Sequence, residues 1–112
     1  MINKVLTLGL GKVGTLVGSL LSKQFEVVGM DKQAPHYDYE LPFKVTTGDV
    51  SDLVLMENTI KEFDAVVSAL PYFLNKAIAK IAHDLGKHYF DLTEDVETTN
   101  YIMQLSKTSK SV

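Results

Sequence analysis

The 112-residue sequence contains no cysteine, only three prolines and no long apolar run. Without cysteine, the chain has no disulfide framework, no thiolate zinc cluster and no thiol nucleophile. Its apolar runs are too short to span a bilayer, and the first of them is too short for the core of a signal peptide. The net charge of −3 provides no basic surface for nucleic acid. We therefore expect a cytoplasmic protein whose partners include neither a membrane nor nucleic acid.

Several catalytic and binding patterns are also missing. The spacing G-x-x-x-x-G-K-[ST] does not occur, which excludes a P-loop, and Ser68 does not lie in a G-x-S-x-G context. The three histidines, His36, His83 and His88, are widely spaced and lack the pattern of metal ligands. We expect no metal site, and the sequence assigns no catalytic residue.

The composition, with 46% hydrophobic and 22% charged residues, is that of one soluble globular domain over residues 1–112. Strand-length apolar runs alternate with helical patterns, as in a parallel sheet with helices on both faces. Strands are predicted at 4–8, 25–31, 43–47, 64–70 and 87–92. Helices are predicted at 12–23, from Ser51 or Asp52 to 63, at 73–85 with Gly86 closing it, and at 93–107.

The opening of the chain carries the most specific motif. The first strand runs directly into Gly9-Leu10-Gly11-Lys12-Val13-Gly14, a G-x-G-x-x-G sequence placed between a strand and a helix. In a dinucleotide-binding βαβ unit the first glycine permits a tight turn and the second lets the backbone approach a pyrophosphate. The third lets the helix pack closely on the sheet. The helix then directs its N–H groups at the phosphates. The motif predicts a three-layer, doubly wound α/β domain, the Rossmann fold, with strand order 3-2-1-4-5.

Asp31 ends the second predicted strand, 20 residues after Gly11, at the spacing of the acid that binds ribose hydroxyls. A carboxylate there repels a 2′-phosphate, which favours NAD over NADP. Lys32 follows it and could pair with a phosphate, so NADP stays open. The alternative is that the glycines only form a turn and that Asp31 only ends a strand.

Two further strand ends are candidate cofactor contacts. Asp49 could accept the adenine amino group and Val50 could cover the ring, whereas the alternative is a helix cap by Asp49 or Ser51. The fourth predicted strand ends in the segment 68–73, where small residues would let the backbone pass close to the ribose and nicotinamide. Tyr72 and Phe73 lie next to each other at this turn, so they cannot both face inward. The alternative for each of these aromatic residues is simple packing in the core.

The fifth predicted strand ends in an acidic run, residues 91–95. Paired acids there could transfer a proton or bind an amine. Capping of the following helix by Thr93 or Asp95 is the interpretation we favour, since acids are common in the first turn of helices.

Three segments together resemble the N-terminal cofactor domain of saccharopine dehydrogenases over nearly the whole chain. They are the glycine motif at 9–14, the sequence VVSALPYF at 66–73 and the sequence GKHYFDLTE at 86–94. The resemblance implies an NAD(P)-dependent oxidoreductase that acts on CH–NH bonds of amino-acid-derived secondary amines. Hydride would leave the carbon that bears the amine, and water would hydrolyse the resulting imine.

The resemblance also implies cofactor contacts at Gly9, Gly11, Gly14, Asp31, Asp49, Ala69, Leu70 and Pro71. Lys12, Val13, Lys32 and Val50 complete the predicted set. Family members continue into a substrate-binding and dimerising domain that this sequence lacks, so we expect the chain alone to be inactive. A homodimer is a further expectation, because an exposed apolar face favours self-association.

A second function is a non-catalytic module that senses NAD(H) or another nucleotide, like the regulatory domains of potassium channels. Such modules share the strand–helix fingerprint. The turn at 68–73 and the acidic run at 91–94 favour the oxidoreductase.

Overall fold

Strands and helices alternate along the part of the chain that the structure, a computed structural model, describes. That part comprises residues 2–33 and 40–92, with the backbone alone for Tyr72 and Phe73. The strands are β1 (Lys4–Leu8), β2 (Glu26–Asp31), β3 (Lys44–Thr47), β4 (Ala65–Ser68) and β5 (His88–Asp91). The helices are α1 (Lys12–Leu21), α2 (Leu53–Ile60) and α3 (Tyr72–Asp84).

The five strands form one sheet in the order β3-β2-β1-β4-β5, and every pair of neighbours is parallel. The predicted strand order and α/β class are therefore confirmed. The order reverses at β1, so the carboxyl ends of β1, β2 and β4 meet at the switch point where such sheets bind ligands. The predicted helix at 93–107 and residues 34–39, between the second and third predicted strands, lie outside the described residues.

Side chains from alternate strand positions build two cores, one on each face of the sheet. On β1, Val5 joins the core that includes Val17 and Leu21 of α1. Leu6 and Leu8 join the opposite core, which contains residues of α2 and α3. Because a strand buried on both faces must be largely apolar on both, β1 and β4 appear in the sequence as nearly continuous apolar runs.

Several elements end earlier than the sequence predicts, because local turns replace the regular bonding. Helix α1 ends at Leu21 rather than 23, where the N–H of Gln24 donates to the Leu21 carbonyl at 3.0 Å. Helix α2 ends at Ile60 rather than 63 through a similar turn, in which Phe63 N–H donates to the Ile60 carbonyl at 2.9 Å. Gly86 follows α3 with φ of 71°, as a residue in the left-handed region at the end of a helix does.

Thr7 in the middle of β1 is completely buried, and among the described residues its Oγ1 has no hydrogen-bond partner. Thr7→Val keeps the shape and removes the unsatisfied hydroxyl, so we expect the free energy of unfolding to rise by about 1 kcal/mol. Urea denaturation measures this change. The control is Thr15→Val, since the Thr15 hydroxyl donates to the Leu10 carbonyl at 3.0 Å and its removal should lower stability. A Thr7→Val variant less stable than the parent would contradict the prediction.

Candidate functional site

The turn after β1 has the shape that its glycines allow. Gly9 adopts φ of 86°, in the left-handed region, and its N–H donates to the Met30 carbonyl at 2.9 Å. A Cβ on Gly9 would also lie 3.1 Å from the backbone carbonyl of Ala69. The turn after β1 is thus packed directly against the turn after β4.

Gly14 and Gly11 differ in what surrounds them. A Cβ on Gly14 would overlap the carbonyl oxygen of Gly9, so close packing of α1 on the turn requires a glycine there. A Cβ on Gly11 would meet nothing within 4 Å, and Gly11 has an ordinary φ of −72°. Neither packing nor backbone conformation in this structure explains a glycine at 11, and the open space in front of it suits a ligand.

Helix α1 begins beside this space without a capping side chain. Gly11 is its N-cap, no acidic residue lies in the first turn, and Thr15 N–H makes the bond to the Gly11 carbonyl at 2.9 Å. The amides of Lys12, Val13 and Gly14 precede Thr15, so they lack acceptors within the helix. The dipole of α1 therefore presents its positive end to the space in front of Gly11. Lys12 and Val13 are exposed at this helix end.

Asp31 ties the end of β2 to the glycine turn. One carboxylate oxygen accepts the N–H of Leu10 at 2.7 Å, and the other accepts the N–H of Lys32 at 2.7 Å. A carboxylate has about four acceptor positions, so each oxygen can still accept a hydrogen bond from a ligand hydroxyl. Asp31 thus supports the turn and remains able to bind a ribose, and the two interpretations of this residue are compatible.

A groove of about 300 Å³ opens between the ends of β2, β3 and β4. Six of its lining residues were predicted from the sequence, namely Asp31, Lys32, Asp49, Val50, Leu70 and Pro71. Ser51 and Leu74 also line it. No motif marks these two as groove residues, because they reach the groove only when α2 and α3 pack on the same face of the sheet.

Asp49 is exposed at the groove and forms a short turn with Ser51. Its Oδ1 accepts the Ser51 hydroxyl at 2.7 Å and the Ser51 N–H at 2.9 Å. These bonds, with the positive charge of Lys32 adding to them, lower the pKa of Asp49. The carboxylate is therefore ionised at neutral pH.

The helix cap at α2 is Asp52, whose carboxylate accepts the N–H of Leu55 at 3.1 Å. This corrects the alternative that Asp49 or Ser51 caps the helix, since both residues precede the cap and face the groove. Of the three residues considered as caps for this helix, Asp52 is confirmed.

The turn after β4 forms the other wall. Ala69 N–H donates to the Leu8 carbonyl at 2.8 Å, and Leu70 N–H donates to the Ser68 hydroxyl at 3.2 Å. Ser68 itself is completely buried, so it faces no substrate. The side chains of Tyr72 and Phe73 and the acidic positions 93–95 lie outside what the structure describes. Among the described residues there is no cluster of metal ligands, and no helix there is long and apolar enough to cross a membrane.

The glycine turn, the uncapped start of α1 and the carboxylate at the end of β2 lie at one sheet edge, around the switch point. An edge built in this way defines a dinucleotide-binding domain of the doubly wound α/β class. The family model described as "Saccharopine dehydrogenase NADP binding domain" matches residues 5–110. The chain therefore belongs to the family of saccharopine dehydrogenase NAD(P)-binding domains, as the three sequence segments indicated.

Solved structures agree with this fold. Apo saccharopine dehydrogenase (L-Glu forming) from Saccharomyces cerevisiae matches with a TM-score of 0.73 and 20% identity, over 89% of this chain and 24% of that one. The AMP-bound Kef CTD of Shewanella denitrificans matches with a TM-score of 0.68 and 25% identity, over 96% of this chain and 69% of that one. A short-chain dehydrogenase/reductase from Veillonella parvula in complex with NADP matches with a TM-score of 0.62 and 14% identity, over 81% of this chain and 47% of that one.

The chain thus spans about a quarter of the length of the yeast enzyme. No curated protein matches it at the sequence level.

Proposed function

We propose that the chain binds NAD(H) as the cofactor domain of an oxidoreductase that acts on the CH–NH bond of amino-acid-derived secondary amines. The observation that carries the cofactor part is the space in front of Gly11. A Cβ at position 11 would meet no protein atom within 4 Å, and Gly11 is the N-cap of α1, so the first N–H groups of this helix lie beside the open space. The pyrophosphate of a dinucleotide fits this space, because it needs both close backbone approach and N–H donors.

In this proposal the groove binds the adenosine half of the dinucleotide. Asp31 can accept hydrogen bonds from the ribose hydroxyls, Val50 and Leu70 provide apolar surface for adenine, and Asp49 can accept the adenine amino group. The volume of about 300 Å³ lies at the lower end of the range for small-molecule sites. In this proposal Gly9 and Gly14 shape the turn, Lys12 and Val13 supply backbone N–H groups, and Ala69 and Pro71 form the wall toward the nicotinamide.

The charges of the groove favour NAD over NADP. Its charged lining residues are Asp31, Lys32 and Asp49, which sum to one negative charge when all are ionised. Lys32 lies close enough to Asp49 to stabilise that carboxylate, so its ammonium is partly compensated. A 2′-phosphate would bring further negative charge next to Asp31, which is unfavourable at such short range.

Asp31→Asn tests this preference. The amide keeps the size of the side chain and one acceptor oxygen for the turn but removes the charge, so the ratio of NADPH to NADH affinity should rise about tenfold, or about 1.4 kcal/mol. Calorimetric titration with both cofactors gives the ratio. Glu26→Gln, at the opposite end of the same strand, is the matched control and should leave the ratio unchanged. An unchanged ratio in Asp31→Asn would contradict the assignment.

A dinucleotide bound at this site would supply the acceptor for the hydride that leaves the carbon bearing the amine. The described residues of this chain bind and orient the dinucleotide from one side, and a second wall is needed to exclude water and to hold the substrate. We therefore infer that the 112-residue chain alone does not turn over secondary amines. Its reduction of NAD⁺ with such an amine would overturn this inference.

A homodimer belongs to the same proposal. Val13 and Leu16 lie one turn apart on α1 with 51% and 54% of their surfaces exposed. Apolar residues grouped in this way favour contact with another protein surface. Sedimentation velocity of the parent chain and of Leu16→Lys tests the homodimer. The parent should sediment as a dimer and the variant as a monomer, whereas a monomeric parent would exclude it.

A nucleotide-sensing module is the second candidate, and the likeness to the AMP-bound Kef CTD supports it. Calorimetric titration of the chain with NADH, NADPH and AMP separates the two. An NADH affinity at least tenfold above that of AMP is expected for a dinucleotide site, because AMP lacks the pyrophosphate bridge and the nicotinamide half. Equal affinities would favour the sensing module. No binding of NADH or NADPH at millimolar concentration would overturn the cofactor assignment.

A further inference from the structure

Three polar side chains are joined in a hydrogen-bonded chain beneath the turn after β4. The Ser68 hydroxyl donates to Asn75 Oδ1 at 2.5 Å, and Asn75 Nδ2 donates to Asp91 Oδ2 at 2.7 Å. Ser68 is completely buried and Asn75 is 5% exposed. The donors and acceptors alternate correctly, since a carboxylate can only accept and therefore fixes the orientation of the Asn75 amide.

The chain of bonds extends at both ends. At one end, Ser68 Oγ accepts the N–H of Leu70 at 3.2 Å, and Leu70 lines the groove. At the other end, the Tyr89 hydroxyl lies 3.4 Å from Asp91 Oδ2. Burial, together with the adjacent Asp91 carboxylate, raises the pKa of Tyr89, so the hydroxyl keeps its proton.

The three residues come from three separate elements. Ser68 and Asp91 are register partners at the ends of β4 and β5, and Asn75 lies in the first part of α3. Apolar side chains could fill the same volume without the cost of burying polar groups. A fully satisfied network instead fixes one arrangement of the elements that it joins. The element joined here is the turn that contacts Gly9 and forms a wall of the groove.

We propose that Asn75 is a positioning residue for the cofactor site: its amide joins Ser68 to Asp91 and thereby holds the Leu70 turn in the shape that the dinucleotide contacts. The effect of this bridge on affinity rests on the proposed function, whereas its effect on the turn does not. Asn75 touches no ligand in this account and acts through Ser68 and Leu70.

The test exchanges the donor and the acceptor of the hydrogen bond between positions 75 and 91. Asn75→Asp alone places two carboxylates opposite each other and should lower NADH affinity at least tenfold. The double variant Asn75→Asp with Asp91→Asn restores the bonds that join Ser68, position 75 and position 91, with the polarity of the bond between positions 75 and 91 reversed. It should return the affinity to within about threefold of the parent. Asn58→Asp on the exposed face of α2 makes the same chemical change away from the site and should have no effect.

A second readout needs no ligand. Amide hydrogen exchange at Leu70 should accelerate in Asn75→Asp and in Ser68→Ala, which removes the acceptor with a small change in volume, and should slow again in the double variant. If Asn75→Asp does not fold, NADH affinity and Leu70 exchange are both measured on Ser68→Ala. Parent-like affinity and Leu70 exchange in the folded single variants would overturn the proposal, as would a double variant no better than Asn75→Asp. A parent chain that does not bind NADH would overturn the proposed function, while Leu70 exchange would still decide the role of Asn75.

Discussion

Gly11→Asp is expected to abolish dinucleotide binding while leaving the fold as stable as before or slightly more stable. The space in front of Gly11 is open, so a side chain enters it without meeting protein atoms within 4 Å of its Cβ. The new carboxylate would occupy the position of the pyrophosphate and repel it. We expect NADH affinity to fall at least 100-fold, which corresponds to about 2.7 kcal/mol.

The same substitution should favour the folded state for a different reason. Gly11 is the N-cap of α1, has an extended backbone conformation and makes no capping bond through a side chain. Aspartate is a preferred N-cap residue, and its charge is favourable at the positive end of the helix dipole. The gain over glycine is a few tenths of a kcal/mol.

Calorimetric titration and urea denaturation of the same preparation measure the two effects. Gly11→Ser is the matched control for size, since it can cap the helix without adding charge, and it should weaken binding less than Gly11→Asp. Retained NADH affinity in Gly11→Asp would show that the space is not the pyrophosphate site. Loss of stability would show that Gly11 has a structural role that the contacts do not reveal.

Gly14→Ala should instead damage the fold itself. Its Cβ would overlap the Gly9 carbonyl oxygen and would lie 3.2 Å from the Cβ of Ala69. Both obstacles belong to tightly packed turns at the switch point, so relief requires α1 to move away from the sheet. We expect a loss of about 3 kcal/mol of unfolding free energy, at the upper end of what overpacking costs.

Gly18→Ala, one helical turn further along α1, is the control for this prediction. Its Cβ would lie 3.1 Å from the Phe43 ring, which is a side chain that can shift. Alanine is also favoured over glycine inside a helix by about 1 kcal/mol. The two effects should nearly cancel. Urea denaturation that places Gly14→Ala close to Gly18→Ala in stability would contradict the proposed packing of α1.

The first βαβ unit was largely predictable because its signals are local. The apolar run of β1, the three glycines and Asp31 lie within 31 residues of one another, and each marks a backbone position with a defined conformation. The strand order followed from right-handed crossovers together with the reversal of strand order after the first unit, which the glycine motif predicts. The exact ends of α1, α2 and β4 were less predictable, because single turn bonds decide them.

The parts that the sequence did not indicate depend on residues brought together by folding. Ser51 and Leu74 line the groove from different elements, and neither belongs to a motif. The bond from Leu10 N–H to Asp31 explains how one residue can support the turn and face a ligand, but backbone donors leave no trace in a sequence. Asn75 lies 16 positions from Asp91 and looks like an ordinary polar residue of an amphipathic helix.

The most direct test of the cofactor site is an NMR titration of the ¹⁵N-labelled chain with NADH. We predict that the largest amide shifts at saturation fall on the turn from Gly9 to Gly14 and on the strand ends at Asp31 and Asp49, with Leu70 shifting as the groove fills. Saturable shifts confined to other parts of the sheet, or no shift at millimolar NADH, would contradict the assignment of this edge as the dinucleotide site.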